Sequence, residues 1–247
     1  MDSVIVIVVL GAALAGFVQG LSGSNFGLVA MAVWAWTLNP TLTGPLVVCG
    51  SLMGQVLAAG ALSRDFDHQR LLPMVVGGLI GVPMGVLLLH HTDPTLFRLM
   101  VGILLAAWCP LMLLSSGLPR IYGDGRGVNA GVGLLGGIMG GLGGLTGPVP
   151  ALWAVLKGWD RHTQRSIIQG FNLAMQVLTM ITYLVSGTVT WEALGLFPVV
   201  AVSVLVPTLI GIRLYRRFSD QAFRKVVLGM LALSGVTLIV QSLPKLI

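Results

Sequence analysis

Long apolar runs along the chain are separated by short polar stretches, and their lengths set the first expectation. A hydrocarbon core is spanned by about 20 apolar residues, fewer where a helix end is buried in protein. On that rule ten helical segments are expected, at 4–20, 26–38, 43–62, 71–90, 95–114, 127–143, 147–157, 166–187, 191–212 and 222–241. The second and seventh are too short to span comfortably. Each follows a glycine-rich stretch, Gly16-Phe-Val-Gln-Gly-Leu-Ser-Gly-Ser-Asn-Phe-Gly27 in one case and Gly137-Ile-Met-Gly-Gly-Leu-Gly-Gly-Leu-Thr-Gly147-Pro148 in the other. A glycine costs about 1 kcal/mol relative to alanine inside a helix. Four glycines in the first stretch and six in the second therefore predict bends rather than helix interiors. In a bilayer such a bend is tolerated only where protein or a water-filled cavity satisfies the freed backbone groups.

Loop charges set the topology. If each short segment is the return arm of a hairpin, one face collects Arg64, Arg70, Arg120, Arg126, Lys157, Arg161, Arg165, Arg213, Arg216, Arg217, Arg224 and Lys225, and the other only Arg98 and Lys245. By the positive-inside rule the crowded face is cytoplasmic and both termini lie outside. A broken helix crossing once would place Arg64 and Arg70 opposite Lys157, Arg161 and Arg165 and lose this bias. The hairpin is the expected form.

The two stretches also begin an apparent repeat. Gly85-Val-Leu-Leu resembles Gly211-Ile-Arg-Leu, each shortly after a proline (Pro83, Pro207), and Phe97-Arg98 with Val101-Gly102 resembles Phe223-Arg224 with Leu228-Gly229. The landmarks keep their order, which shared composition alone does not require. The reading is an all-α polytopic membrane protein of two halves, 1–115 and 127–247, joined by a cytoplasmic linker over 116–126. With five segments in each, the halves are inverted relative to one another, as in many secondary transporters.

Composition supports a membrane class and removes others. With 55% hydrophobic and 9% charged residues and a mean hydropathy of +0.94, the chain is far from soluble averages. Its net charge of +6 comes from basic residues at segment ends, so no nucleic-acid surface is implied. The N-terminal run Val4–Leu10 lacks a basic leader and reads as a retained first helix. Cys49 and Cys109 have no ligand spacing and read as packing residues. His90 and His91 are adjacent rather than spaced for one helix face, so no metal or other cofactor is expected. The six tryptophans fall mostly toward segment ends, as in an aromatic belt. Arg213 reads as a topology anchor.

Candidate chemistry gathers at the bends. Gln19, Ser22, Gly23, Ser24 and Asn25 lie at the first, and Gly144, Thr146 and Gly147 at the second. The long segment that follows carries Gln169, Asn172 and Gln176, spaced for one helix face; Ser51 and Gln55 follow the first bend. Polar side chains at membrane depth need a partner, a cavity or a substrate. No Asp, Glu, Lys, Arg or His is expected there, leaving amides, hydroxyls and the backbone N–H groups at the starts of the short return helices. Such helix N-termini favour anions, and glycine lets an oxyanion approach the backbone. A cation site would want carboxylates, which are missing.

At the bends the chain resembles the TauE/SafE-type family of sulfite and organosulfur-anion exporters. Gly20-Leu-Ser-Gly-Ser-Asn-Phe-Gly27 and Gly141-Leu-Gly-Gly-Leu-Thr-Gly147-Pro-Val-Pro150 stand in place of the family's glycine-rich turns, and Ser166 to Gly187 resembles the long helix after the second. The sequence departs from the pattern at Ser24-Asn25-Phe26, where glycine or an apolar residue is usual. The resemblance implies a multi-pass transporter of a bacterial-type inner membrane, exporting a small anion such as sulfite or a sulfonate by alternating access. Its partners are then membrane lipid and the anion. An anion channel and a non-transporting subunit of a larger complex are the alternatives. The sequence carries no signal of oligomeric state and no catalytic constellation.

Overall fold

A computed structural model describes residues 2–59, 67–114, 120–121, 125–214 and 220–245. Among them are ten α-helices and no strand: α1 (Asp2–Ser22), α2 (Phe26–Trp34), α3 (Pro40–Ala59), α4 (His68–His90), α5 (Pro94–Leu113), α6 (Arg126–Gly143), α7 (Pro148–Leu156), α8 (Arg161–Val185), α9 (Trp191–Leu214) and α10 (Asp220–Ser242). Every expected segment coincides with a helix. Most of the 116–126 linker lies outside the described residues, as do Arg64, Arg216 and Arg217 and the side chains of Arg161, Arg224, Lys225 and Lys245.

Six stretches, Ser3–Ser22, Pro40–Leu57, His68–His90, Pro94–Leu113, His162–Val185 and Trp191–Leu214, are long and apolar enough to cross a membrane. Their outward faces carry Leu10, Leu72, Ile80, Val202 and Val206, all exposed. A row of exposed aliphatics on helices that also enclose a core is a lipid-facing surface, and the chain is a multi-pass membrane protein. Asp160 starts α8, accepting from the amides of His162 and Thr163. The Thr163 side chain and amide hold its carboxyl below the ordinary carboxylate range.

The nine-residue helices α2 and α7 are about 13 Å long, less than half a hydrocarbon core. Both fold back along the helix before them. The Trp34 indole, at the end of α2, donates to the Ile7 carbonyl near the start of α1 at 3.1 Å. The Trp153 indole in α7 donates to Asn129 Oδ1 near the start of α6 at 2.8 Å. The hairpin form is therefore the one adopted, with return arms that stop short of a full crossing. Trp34 corrects the aromatic-belt expectation, since it is fully buried.

The glycine stretches behave differently from expectation. Gly16 and Gly20 lie inside α1, and Gly137, Gly140, Gly141 and Gly143 inside α6. The breaks are confined to residues 23–25 and 144–147. What the helical glycines provide is close approach. Gly81 and Gly85 of α4 meet Gly137 and Gly141 of α6, Gly77 lies against Ala130 and Gly133 against Met74, and a Cβ on Gly81 would stand 2.2 Å from the Leu134 carbonyl oxygen. Likewise Gly20 of α1 meets Thr208 and Gly211 of α9, and Gly102 of α5 meets Gly235 of α10. Small residues four apart let helix backbones pack directly where lipid supplies no hydrophobic drive. The helix-propensity cost was legible locally; the partner helix that offsets it was not.

Around these three seams, α3 packs on α9, α8 on α4, and α3 on α8, while α2 and α7 pack against α3 and α8 in turn. Gly81→Val should lower stability by about 1–3 kcal/mol or more through overpacking of the α4–α6 seam. Gly131→Ala, whose Cβ would enter open space, should be neutral or stabilising by up to about 1 kcal/mol. Thermal unfolding of the detergent-purified variants measures both.

Candidate functional site

The backbone breaks first. Gly23 (φ 75°), Asn25 (φ 78°) and Gly144 (φ 72°) all occupy the left-handed region, where only glycine and, less readily, asparagine are comfortable. Asn25 stands at the start of α2 with no side-chain capping bond, so its amide group is not spent on the helix end. Gly27 packs against the Gly144 carbonyl, which would lie 2.9 Å from a Cβ there. The two turns, 121 residues apart in sequence at Gly23 and Gly144, therefore meet in the interior.

Helix α8 runs past both. Gln169 donates to the Gly23 carbonyl at 3.1 Å, and Gln176, about 10 Å further along the axis, donates to the Gly144 carbonyl at 2.8 Å. Between them Asn172 Oδ1 accepts from the Thr146 hydroxyl at 2.9 Å. Each glutamine thus satisfies a carbonyl freed by a helix break. Gln19 in α1 donates to the Ser51 carbonyl of α3 at 3.1 Å, with Gly54 leaving room for its amide. The side-chain oxygens of Gln19 and Gln176 are buried and make no hydrogen bond among the described residues.

A cavity lies between the turns, lined by Ser24, Asn25, Phe26, Gly27 and Leu28 from the first, Gly144 through Pro148 from the second, Ser51 and Gln55 from α3, and Asn172 and Gln176 from α8. Its volume open to water centres is about 20 Å³, room for one or two waters. Of the expected site residues, Ser24, Asn25, Gly144, Thr146, Gly147, Asn172 and Gln176 line it. Gln19, Gly23 and Gln169 stand behind it as supports. Ser22 is exposed and hydrogen-bonds locally to the Val18 and Ser24 carbonyls.

Two expectations about the chemistry need correction. The return helices do not contribute equally: α7 begins Pro148-Val149-Pro150, proline has no N–H, and Val149, which keeps one, does not line the cavity. The backbone donors at a helix start therefore come from α2, where Phe26, Gly27 and Leu28 line the cavity. The second concerns charge. Arg165, assigned to a loop by its position, is half-buried against the first turn, its Nε and Nη2 at 3.1 and 3.2 Å from where a Gly23 Cβ would be. Its spacing of four from Gln169 was the available signal.

Ser51 and Gln55 belong to the cavity although they lie outside the predicted substrate-binding set. They precede Asn172 and Gln176 by 121 residues each, the same offset as the turns. No carboxylate lines the cavity, and among the described residues no three His, Cys, Asp or Glu side chains cluster. The donor set of amides, hydroxyls and an N-terminal helix turn suits a small oxyanion.

Asn25→Gly should leave stability within about 1 kcal/mol of the parent, whereas Asn25→Val should cost about 1–3 kcal/mol, since a β-branched residue is strained at positive φ. Thermal unfolding distinguishes them.

A family model described as Sulfite exporter TauE/SafE matches residues 8–238. No curated protein and no solved structure matches the chain significantly.

Proposed function

Because the chain belongs to the TauE/SafE sulfite exporter family, a family of membrane transporters and not of enzymes, we propose that it exports a small anion, sulfite or a related sulfonate, from the bacterial cytoplasm across the inner membrane. The observation that carries this reading is the cavity held jointly by the two turns. An anion there meets the α2 N-terminal amides, the Asn25 side chain, the Thr146 hydroxyl and the α8 amides, with no carboxylate to repel it.

Alternating access between two inverted halves is the mechanism we infer. It is supported by helix pairing that survives exchange of the halves. Replacing each of α1–α5 by its partner five helices later turns α1 on α9 into α6 on α4, α3 on α9 into α8 on α4, and α1 on α2 into α6 on α7, while α5 on α10 maps to itself; each of these pairs packs together. Five helices per half require opposite orientations in the membrane. Rocking one half against the other would expose a cavity that both halves line to each side in turn. Without a membrane carboxylate to carry protons, the membrane potential or a proton borne by the substrate drives the cycle.

Purified protein in liposomes should take up radiolabelled sulfite saturably, with competition from other small oxyanions. Asn25→Gly and Gln176→Leu should each lower flux about tenfold or more, the loss of one hydrogen bond to a charged ligand. Absence of flux for any anion under an imposed potential or pH gradient would overturn the reading in favour of a partner-dependent subunit; non-saturating flux would favour a channel.

A further inference from the structure

The second half of the chain spends its polar side chains on its own turn, and the first half does not. In the second half Gln176 donates to the Gly144 carbonyl, and Asn172 Oδ1 accepts from the Thr146 hydroxyl. The matching positions, 121 residues earlier in each case, pair Gln55 with Gly23 and Ser51 with Asn25. Neither of those bonds forms. The Gly23 carbonyl is taken by Gln169 of α8, and Gln19 reaches only the Ser51 carbonyl. Among the described residues the Ser51 hydroxyl and the Gln55 carboxamide make no hydrogen bond. We propose that Ser51 and Gln55 are substrate-contacting residues: their hydroxyl and carboxamide donate to the oxygens of the transported oxyanion from the α3 wall of the cavity. The assignment rests on the anion-transport reading above and adds to it the donors that neither turn consumes.

Three observations carry it. Both side chains line the cavity, and the residues are only 4% and 6% exposed. A buried hydroxyl or amide without a partner is costly, so its retention points to a group that arrives from outside. Spaced by four, the two share one face of α3, and that face is fixed by packing. The Phe26 ring lies on Gly50, where a Cβ would overlap it, and Val47 packs against both Gly27 and Gly144. Gln19 holds the Ser51 carbonyl at 3.1 Å. The donors are therefore positioned before any ligand binds, which spares the cost of ordering them on binding. Third, no carboxylate lines the cavity to compete for them. Ser51 brings an O–H and Gln55 an amide N–H pair, a neutral donor set for a small oxyanion.

The test measures sulfite uptake into liposomes and ligand-free thermal unfolding in detergent for wild type, S51A and Q55M. Each variant should raise KM about tenfold or more, the loss of one hydrogen bond to a charged ligand, with maximal flux held within about threefold. Each should keep its unfolding midpoint within about 2 °C of wild type, because neither side chain bonds within the protein. A cavity that held only water would leave KM unchanged. A KM equal to that of wild type in either variant overturns the assignment of that residue and leaves the transport reading standing. Absence of saturable sulfite flux in wild type overturns both.

If Q55M does not fold, Q55N makes the comparison, since it keeps the amide and draws it back by one methylene. Its KM should still rise severalfold. A KM for Q55N equal to that of wild type overturns the assignment of Gln55.

Discussion

Two amide-to-carbonyl hydrogen bonds, from Gln169 to Gly23 and from Gln176 to Gly144, make the interior of this protein possible. A helix that breaks in a bilayer leaves backbone groups that lipid cannot satisfy, at a cost of several kcal/mol each. Here a single continuous helix, α8, brings side-chain donors to both breaks. Because the two glutamines are seven residues apart on one face, they also set the distance between the breaks and hold the turns together. The cavity is what remains between two breaks that a third element has fastened. Its chemistry follows from the residues that did the fastening and from those left over: amides, hydroxyls and the amino end of α2.

The glycine seams are the second condition. A Cβ at Gly81, Gly85 or Gly141 would stand about 2 Å from a carbonyl oxygen of the facing helix, so α4 and α6 touch backbone to backbone. The α1–α9 seam is built the same way. These contacts hold the helices that carry the turns, α1 and α6, against full-length spans. The turns are then presented inward by rigid elements rather than by loops. Positive φ at Gly23, Asn25 and Gly144 completes the reversal that sends α2 and α7 back along their predecessors.

Much of this was legible in the order of residues. Segment positions followed from apolar run length, and the hairpins followed from the asymmetry of basic loops, because both are one-dimensional signals. The α8 stripe was legible because 169, 172 and 176 share a helix face. What failed were inferences that depend on a partner not adjacent in sequence. Helical glycines in α1 and α6 read as bends, since the helices that pack on them, α9 and α4, lie far along the chain. Trp34 read as interfacial because a segment end normally is; a nine-residue return arm instead buries its end against Ile7 and Gly11. Arg165 read as a loop charge because the depth of the first turn, and hence the nearness of α8's first turns to it, is a tertiary fact. Pro148 and Pro150 were plain in the sequence, and they leave Val149 as the one residue of the first three in α7 with an N–H.

On the proposed mechanism, both turns bind one anion between them. Selenite, a heavier analogue of sulfite, diffused into crystals of the protein and located by anomalous scattering tests this directly. A peak is expected within hydrogen-bonding distance of Asn25, Thr146 or Gln176, in the space between Gly27 and Gly144. A peak elsewhere in a protein that transports selenite saturably, with none between the turns, would contradict it.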